Sequence, residues 1–421
     1  MRLSRLSAAI MACGFASAAS ASGFALSEQS VSAMGTANAG RASNVQDASV
    51  VYNNPAAIVL LKQAQVTGSL SYLDARTRIS NVSASDPLPP AFSLSAGTNE
   101  GNMVPRSFIP SGHFASGDRN GWAWGMSAYG SYGLKTNYEP TFQGRFYGDK
   151  SDIKVTTLQP ALSYRVNDKL TIGGGPTINK LEALLTQNTG VVAGQVEIKG
   201  QDVGYGYNTG IHFAATPDTD LGMVYRSKVR YKIDDGSLTN SGGSTGVPAG
   251  SYNATTSVTL PESLELGVSH RLNATTRLHA SSTWTRWSRL KDLPVSTNAN
   301  PMNPLSQRSE TFNWKDSVGY AVGISHACND KLELRAGLAY DNTPVAAADR
   351  SVRLPDGDRR IATLGAGYKL SASQQIDFSY AYIDGEKAGV NRVASASAPV
   401  NYKADFASTA SIYGVQFTQR F

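Results

Sequence analysis

Cysteine is nearly absent from this chain: its 421 residues include two, Cys13 and Cys328. Cys13 falls in a stretch expected to be cleaved off, so Cys328 stands alone and no internal disulfide framework can form. Long apolar runs are missing as well. Past the first residues nothing approaches the ~20 apolar positions of a spanning helix, and a bilayer could then be crossed only by a closed barrel, because lipid offers no partner to an unpaired backbone group. Charged residues make up only 17%, and the formal net charge of +6 is scattered, losing two positives once Arg2 and Arg5 are removed. No nucleic-acid surface follows from it. Spacings such as H-E-x-x-H and a nucleophile elbow are also lacking, which argues against a barrel hydrolase and gives no reason to expect a cofactor or metal.

What is present starts with "MRLSRLSAAIMACGFASAASASGF", where Arg2 and Arg5 precede a short apolar stretch and Ala19-Ser20-Ala21 forms a small-residue cleavage site. Residues 1–21 therefore read as a signal peptide. Acylation at Cys13 would need a longer apolar run after Arg5 than the chain provides. The remainder shows no composition break or long linker, so one large closed structure is expected.

Period two runs through that remainder. In "KLELRAGLAYD", Leu332, Leu334, Ala336, Leu338 and Tyr340 alternate with Lys331, Glu333, Arg335 and Gly337; "QIDFSYAYID" and the closing "STASIYGVQFTQRF" repeat the pattern. About fourteen such segments can be marked, at 63–75, 105–115, 121–134, 152–166, 169–184, 201–215, 219–233, 256–270, 274–288, 313–327, 331–342, 358–370, 374–386 and 405–421. Most reach the ~9–11 residues of a spanning strand, about twice the length usual in a sandwich. Short turns such as "RVNDK" and "ACNDK" interleave with longer loops at 76–104, 135–151, 234–255, 289–312 and 387–404. This is the outer-membrane arrangement of short periplasmic turns and long external loops, and an even strand count puts both ends on the periplasmic side. The chain ends in Phe421, and Tyr129, Tyr132, Tyr138, Phe146 and Tyr147 at one level and Tyr164 and Tyr368 at the other read as aromatic girdles.

Candidate chemistry is thin. His113, His212, His270, His279 and His326 all fall near the short turns, away from the external rim where a hydrolase would act. "IGGG" (172–175) and "GYGYNTG" (204–210) lack the strand-turn-helix context of a phosphate loop and read as lumen-facing glycines where side chains crowd. Arg165, Arg226, Arg277, Glu265, Glu333, Arg335 and Asp377 have lumen parity and read as paired or solvated. By the alternation of Val318, Tyr320, Val322 and Ile324, Lys315 faces the lumen near its external end, where a cation can meet an anionic head group. Gly125, Gly130 and Gly133 interrupt "WAWGMSAYGSYGLKTNY", and glycine inside a strand marks a bulge or bend that can open a barrel wall.

These features together resemble the FadL family of outer-membrane long-chain fatty acid transporters. The start "SGFALSEQSVSAMGTANAGRASNVQDASVVYNNPAA" is similar to the family's N-terminal hatch, and "LPESLELGVSHRL", "WTRWSRL", "WKDSVGYAVG", "LRAGLAYDNTPV" and "LPDGDRRIATLGAGYKLS" follow in order. The resemblance implies an all-β fold: a transmembrane antiparallel β-barrel of 14 strands over 63–421 with a plug, the hatch, over 22–62. It implies that Gly23 and Phe24 line a lumenal pocket and that Lys315 meets the fatty acid carboxylate. It further implies that Asn54, Pro55 and Ala56 form the hatch motif lying against a kink at Gly130, Ser131, Tyr132 and Gly133, where substrate leaves sideways. A second carboxylate-binding arginine of the family has no counterpart, since the fifth segment reads "NKLEALL". The function expected is passive uptake of hydrophobic molecules across the outer membrane of a Gram-negative bacterium, long-chain fatty acids first and small aromatic hydrocarbons second. Its partners would be that substrate and the surrounding outer-membrane lipid and lipopolysaccharide, with the protein a monomer. A general diffusion porin is the competing class, and residues 22–62 argue against it because a porin begins its first strand almost at the mature terminus.

Overall fold

Alternating side chains, pleated backbone and short turns between neighbours lead to one continuous antiparallel sheet in the computed structural model. The structure describes residues 23–86, 93–189, 194–242, 249–299, 305–395 and 398–421; the expected signal peptide and its cleavage site lie outside them. The strands are β1 (Gln65–Ser85), β2 (Ser107–Ala115), β3 (Trp122–Asn137), β4 (Lys150–Arg165), β5 (Leu170–Thr189) and β6 (Gly194–Thr216). Four broken strands follow: β7 (Thr219–Arg226 and Val229–Asn240), β8 (Gly250–Leu260 and Ser263–Arg271), β9 (Thr276–Thr285 and Asp292–Thr297) and β10 (Gln307–Thr311 and Ser317–Ala327). β11 (Leu332–Asp341), β12 (Arg359–Lys369), β13 (Gln374–Gly385 and Ala388–Arg392) and β14 (Asn401–Arg420) complete the wall. β14 pairs with β1 from Gln65↔Arg420 to Ser85↔Asn401, so the sheet closes into a 14-stranded barrel. Closure leaves the first and last strands no free edge, which a bilayer requires.

Polarity is inverted relative to a soluble protein. On β12, Leu364 is 63% exposed while its neighbour Thr363 is 4% exposed and holds the carbonyl of Gly35 inside the barrel. Tyr320, Val322 and Ile324 on β10 and Tyr413, Val415 and Phe417 on β14 point outward in the same way. An apolar outer face alternating with a polar inner one is what lipid outside and a filled interior select. No helix among the described residues is long and apolar enough to cross a membrane.

Three readings from the sequence change. The expected loops at 234–255 and 289–312 are partly strand, because β7 and β8 pair up to Asn240↔Gly250 and β9 and β10 form a hairpin from Asp292↔Thr311 to Ser296↔Gln307. Of the expected girdle residues, Tyr129 is buried in the lumen against Tyr52 at 4.6 Å, and Tyr138 stacks on Phe142 at 3.9 Å. Phe146 is buried in a further apolar cluster with Leu94 and Val400. Aromatic side chains near strand ends can face in as well as out, and lumen-facing ones here gain partners.

Inside the barrel lies the segment 23–61, with two single-turn helices, α1 (Val31–Met34) and α2 (Val50–Asn53), and a 3-10 stretch, Pro55–Leu60. It reaches walls far apart: the Val31 N–H donates to Gln416 on β14, Arg41 pairs with Glu265 on β8, and the Asn54 amide donates to the Ile211 carbonyl on β6. Lumen-facing glycines make room for it. A Cβ on Gly222 would come within 1.9 Å of the Ala42 carbonyl oxygen, and one on Gly173 within 2.6 Å of Pro55. Most of the interior charges singled out in the sequence are paired: Arg226 with Glu265, Arg335 with Asp377 and Glu333, and Arg165 with Asp118, while Arg277 donates to Asn44.

Candidate binding cavity and wall gap

The breaks in β7 to β10 build the centre of the lumen. Strand pairing stops at residues 286–291 of β9, where Trp287–Arg289 forms a 3-10 turn, and at 312–316 of β10, where Asn313 has φ 46°. Trp287 and Trp314 thereby turn inward, with ring centroids 5.0 Å apart. Phe24 packs against Trp287 at 5.1 Å, Tyr132 at 5.7 Å and Trp314 at 5.8 Å. Gly23, at φ +69°, lies so close that a Cβ would meet both tryptophans within 2.9 Å. Its conformation and this contact both favour glycine.

Beyond Phe24 extends a cavity lined by Leu134, Leu181, Ile198, Ile233, Val258, Leu260, Leu293, Val295 and Phe312. Its polar lining is sparse and charged, with Lys199, Glu310, Asp349, Ser351 and Arg353. Arg353 is buried, 3.3 Å from the Glu310 carboxylate, and donates to the Lys150 carbonyl at 3.0 Å. Arg308 sits directly opposite Val295 in the β9–β10 hairpin, so both side chains share the cavity's face. Arg308 carries no side-chain hydrogen bond or ion pair among the described residues. Such a cavity suits a long apolar body with one polar end.

Lys315, expected on this face, is exposed and does not line the cavity; its backbone N–H donates to the Pro344 carbonyl at 2.9 Å. The parity read from Val318 onward does not cross the break at 312–316, and Trp314 takes the inward position. Arg308, Arg353, Trp287 and Trp314 were not found by sequence reasoning. The broken alternation in "ETFNWKDSV" was the signal available.

The glycine-rich stretch of β3 does bulge. Pairing with β4 shifts between Gly130↔Thr156 and Tyr132↔Val155, leaving Ser131 as the extra residue. On its other side β3 pairs with β2 for five positions only, Ser111↔Tyr129 to Ala115↔Gly125. Pro110, next in β2, has no N–H to extend the ladder, as suits an edge position. From Gly130 to Gly133 the free edge of β3 is met by the N-terminal segment instead. Leu26 N–H donates to the Ser131 carbonyl at 3.0 Å, and Gly133 N–H donates to the Phe24 carbonyl at 2.9 Å. Ala25 and Tyr132 form the antiparallel bridge between them.

Asn54, Pro55 and Ala56 are elsewhere, a correction to the expected contact with the kink. Asn54 caps the 3-10 stretch by accepting from the Ala56 N–H, and its amide donates to the Ala42 and Ile211 carbonyls. Ser163 on β4 donates to the Ala56 carbonyl. The motif thus packs on β4 to β6, because its polar groups find partners there while the kink is already served by residues 24–26.

Two further spaces flank Phe24–Glu28. One lies between β1 and the free edge of β3 and is lined by Gly23, Phe24, Thr77, Met103, Val104, Gly133 and Arg359. Arg359 pairs with Asp356 and donates to the Gly23 carbonyl at 3.1 Å. The other is lined by Ala25, Ser27, Glu28, Arg41 and Glu265 among others. There burial pushes the Glu28 carboxyl up to about 7, against the lowering effects of the Ser27 backbone and side-chain hydrogen bonds and of Arg359.

Comparison with known proteins agrees with this architecture. The model of the family described as "Outer membrane protein transport protein (OMPP1/FadL/TodX)" matches residues 12–421. The chain is 29% identical over 450 residues to outer membrane protein P1 of Haemophilus influenzae, covering 96% of each. It is 26% identical over 441 residues to the long-chain fatty acid transport protein of Escherichia coli, covering 95% of this chain and 94% of that one. Among solved structures, a FadL homologue of Pseudomonas aeruginosa superposes with a TM-score of 0.83 at 23% identity, over 95% of this chain and all of the other.

Proposed function

The chain belongs to the OMPP1/FadL/TodX family of outer membrane transport proteins, a channel for hydrophobic compounds and not an enzyme, and from this premise we propose that it carries long-chain fatty acids passively into the cell. One observation carries this reading: a cavity lined mostly by aliphatic and aromatic groups holds Arg353 and Glu310 in its lining, with Arg308 on the same face. An alkyl chain gains about 0.8 kcal/mol for each CH2 that leaves water. A carboxylate beside a guanidinium gains a charge-assisted hydrogen bond. A small aromatic hydrocarbon would use only the first term.

Substrate would enter from the external loops, rest against Phe24, and leave sideways where β3 parts from β2. Segment 22–62 acts as the hatch, with Asn54, Pro55 and Ala56 fixing it to the wall and Gly130, Ser131, Tyr132 and Gly133 framing the exit. Outer-membrane lipid, with lipopolysaccharide outside, receives the substrate, and one chain suffices because the wall closes on itself. The gradient drives net uptake.

Binding of hexadecanoic acid, hexadecanol and toluene to the purified barrel tests this. Arg308→Ala should weaken the acid about tenfold and leave the alcohol unchanged, as expected for one hydrogen bond to a charged group. Lys315→Ala should weaken the acid less than Arg308→Ala does. Equal loss for acid and alcohol would overturn the carboxylate role, and tight toluene binding without acid binding would favour the aromatic reading.

A further inference from the structure

The gap between β2 and β3 is crossed by the side chain and backbone of a single glutamine. Gln29 donates its amide Nε2 to the Gly130 carbonyl at 2.8 Å, on the bulged lip of β3. Its own carbonyl accepts from Ser111 Oγ and from His113 Nε2, each at 2.9 Å, on the last stretch of β2 that still pairs with β3, where the gap begins. That carbonyl can only accept, so His113 must carry its proton on Nε2, which leaves Nδ1 to accept from the Ser127 hydroxyl at 2.7 Å. The same amide Nε2 also donates to the Leu26 carbonyl at 3.0 Å, tying residue 29 to the stretch that edges β3.

The other amide atom, Oε1, is buried with no hydrogen-bond partner among the described residues. Turning the amide over does not help, because the oxygen would then face the Leu26 and Gly130 carbonyls. A buried acceptor left unmet penalises the state that buries it. Any movement that lets a polar group reach Oε1 relieves the penalty, so the bonds that hold the closed gap can be exchanged.

We propose that Gln29 is the latch of the lateral gap: its amide and carbonyl bond the two lips, and release of substrate requires these bonds to break. The proposal rests on the lateral-exit reading above. It makes Gln29 a positioning residue for transport, controlling the rate of exit and not the affinity of the cavity.

The test uses the full mature chain, with Cys328→Ser, in liposomes, and follows transfer of a pyrene-labelled hexadecanoic acid from the protein into the bilayer by stopped flow. Gln29→Met keeps the side-chain length and removes the amide; its exit rate should rise about fivefold, as expected for losing net hydrogen bonds of ordinary strength. Single-channel conductance should stay at the wild-type level, since the segment remains in the lumen. A second variant ties the N-terminal segment to the β3 lip by a disulfide between Ala25→Cys and Tyr132→Cys, which occupy facing positions of the bridge; the oxidised form should stop exit and the reduced form restore it. An unchanged rate in Gln29→Met, with exit still blocked by the disulfide, overturns the latch and leaves lateral exit standing. Undiminished exit from the oxidised protein overturns lateral exit and the latch together. A Gln29→Met protein with raised conductance would show a general plug support, which also overturns the latch. Failure of Gln29→Met to fold would do so too, because a latch at the gap is not needed to assemble the barrel.

Discussion

Residues 38–58 and residues 23–29 belong to one short segment inside the same barrel, and they are held in different ways. The first stretch is anchored by side chains. Arg41 and Arg226 both bond the buried Glu265, Ser43 bonds Ser269, Gln159 donates to the Val51 carbonyl, and Asn54 bonds Ala42 and Ile211. Glycines in the wall bring backbone against backbone there. The second stretch has cavities on several sides and is held mostly by main-chain bonds to the edge of β3, by Arg359 on Gly23 and by Gln29. Close packing resists movement, and contacts beside empty space do not. One plug can therefore combine a fixed anchor with a tail able to move.

Breaking the anchor should have the largest effect. Gly222→Val would drive methyl groups into the Ala42 carbonyl, an overpacking expected to cost about 3 kcal/mol; the folded, heat-modifiable band on gels should be lost or its melting temperature lowered. Next comes Arg41→Ala, which leaves Glu265 with Arg226 alone and should cost about 2 kcal/mol, as for a lost hydrogen bond to a buried charge. Frequent large conductance steps in a planar bilayer would report the loosened plug, and wild-type conductance would show that the anchor does not depend on this pair.

Changes in the tail should spare the barrel. Phe24→Ala removes the ring packed against Trp287 and Trp314 and merges the two cavities it divides. Fatty acid affinity should fall about tenfold, because the alkyl chain no longer has the ring to shield it from water, while the melting temperature changes little; a large drop in melting temperature would mean that tail and anchor are one unit. The smallest effect concerns Glu28. Its carboxyl, raised by burial to about 7 from 4.5, favours the docked tail most strongly below pH 4.5. That contribution is lost as pH rises through 7. Exit of the labelled acid should therefore be faster at pH 8 than at pH 5 in the wild type, with the difference reduced in Glu28→Gln.

Much of this was legible from residue order. Alternation marked all fourteen strands because a barrel wall between lipid and a filled lumen imposes period two on every spanning segment. The bulge at Ser131 was foreshadowed by Gly130 and Gly133, since missing side chains weaken a ladder wherever they occur. Phe24 and Gly23 were picked out by resemblance; in the structure Phe24 borders the cavity and Gly23 lies against Trp287 and Trp314. The partner of Asn54 and the direction of Lys315 were not legible. Parity predicts a face only while a strand is continuous, and β10 breaks between residues 311 and 317.

Residue order alone settles how many times the chain crosses the membrane, which face of each strand meets lipid, and that a segment too polar for lipid precedes the first strand. Those properties are local, being set by each residue's solubility and by a fixed period of two. Which interior groups meet is settled only in three dimensions: Gln29 and not Asn54 at the gap, Arg353 and not Lys315 in the lining of the cavity. Inside a closed wall every buried donor and acceptor competes for partners that are distant in the chain, and the winner depends on where glycines, bulges and breaks let two backbones approach.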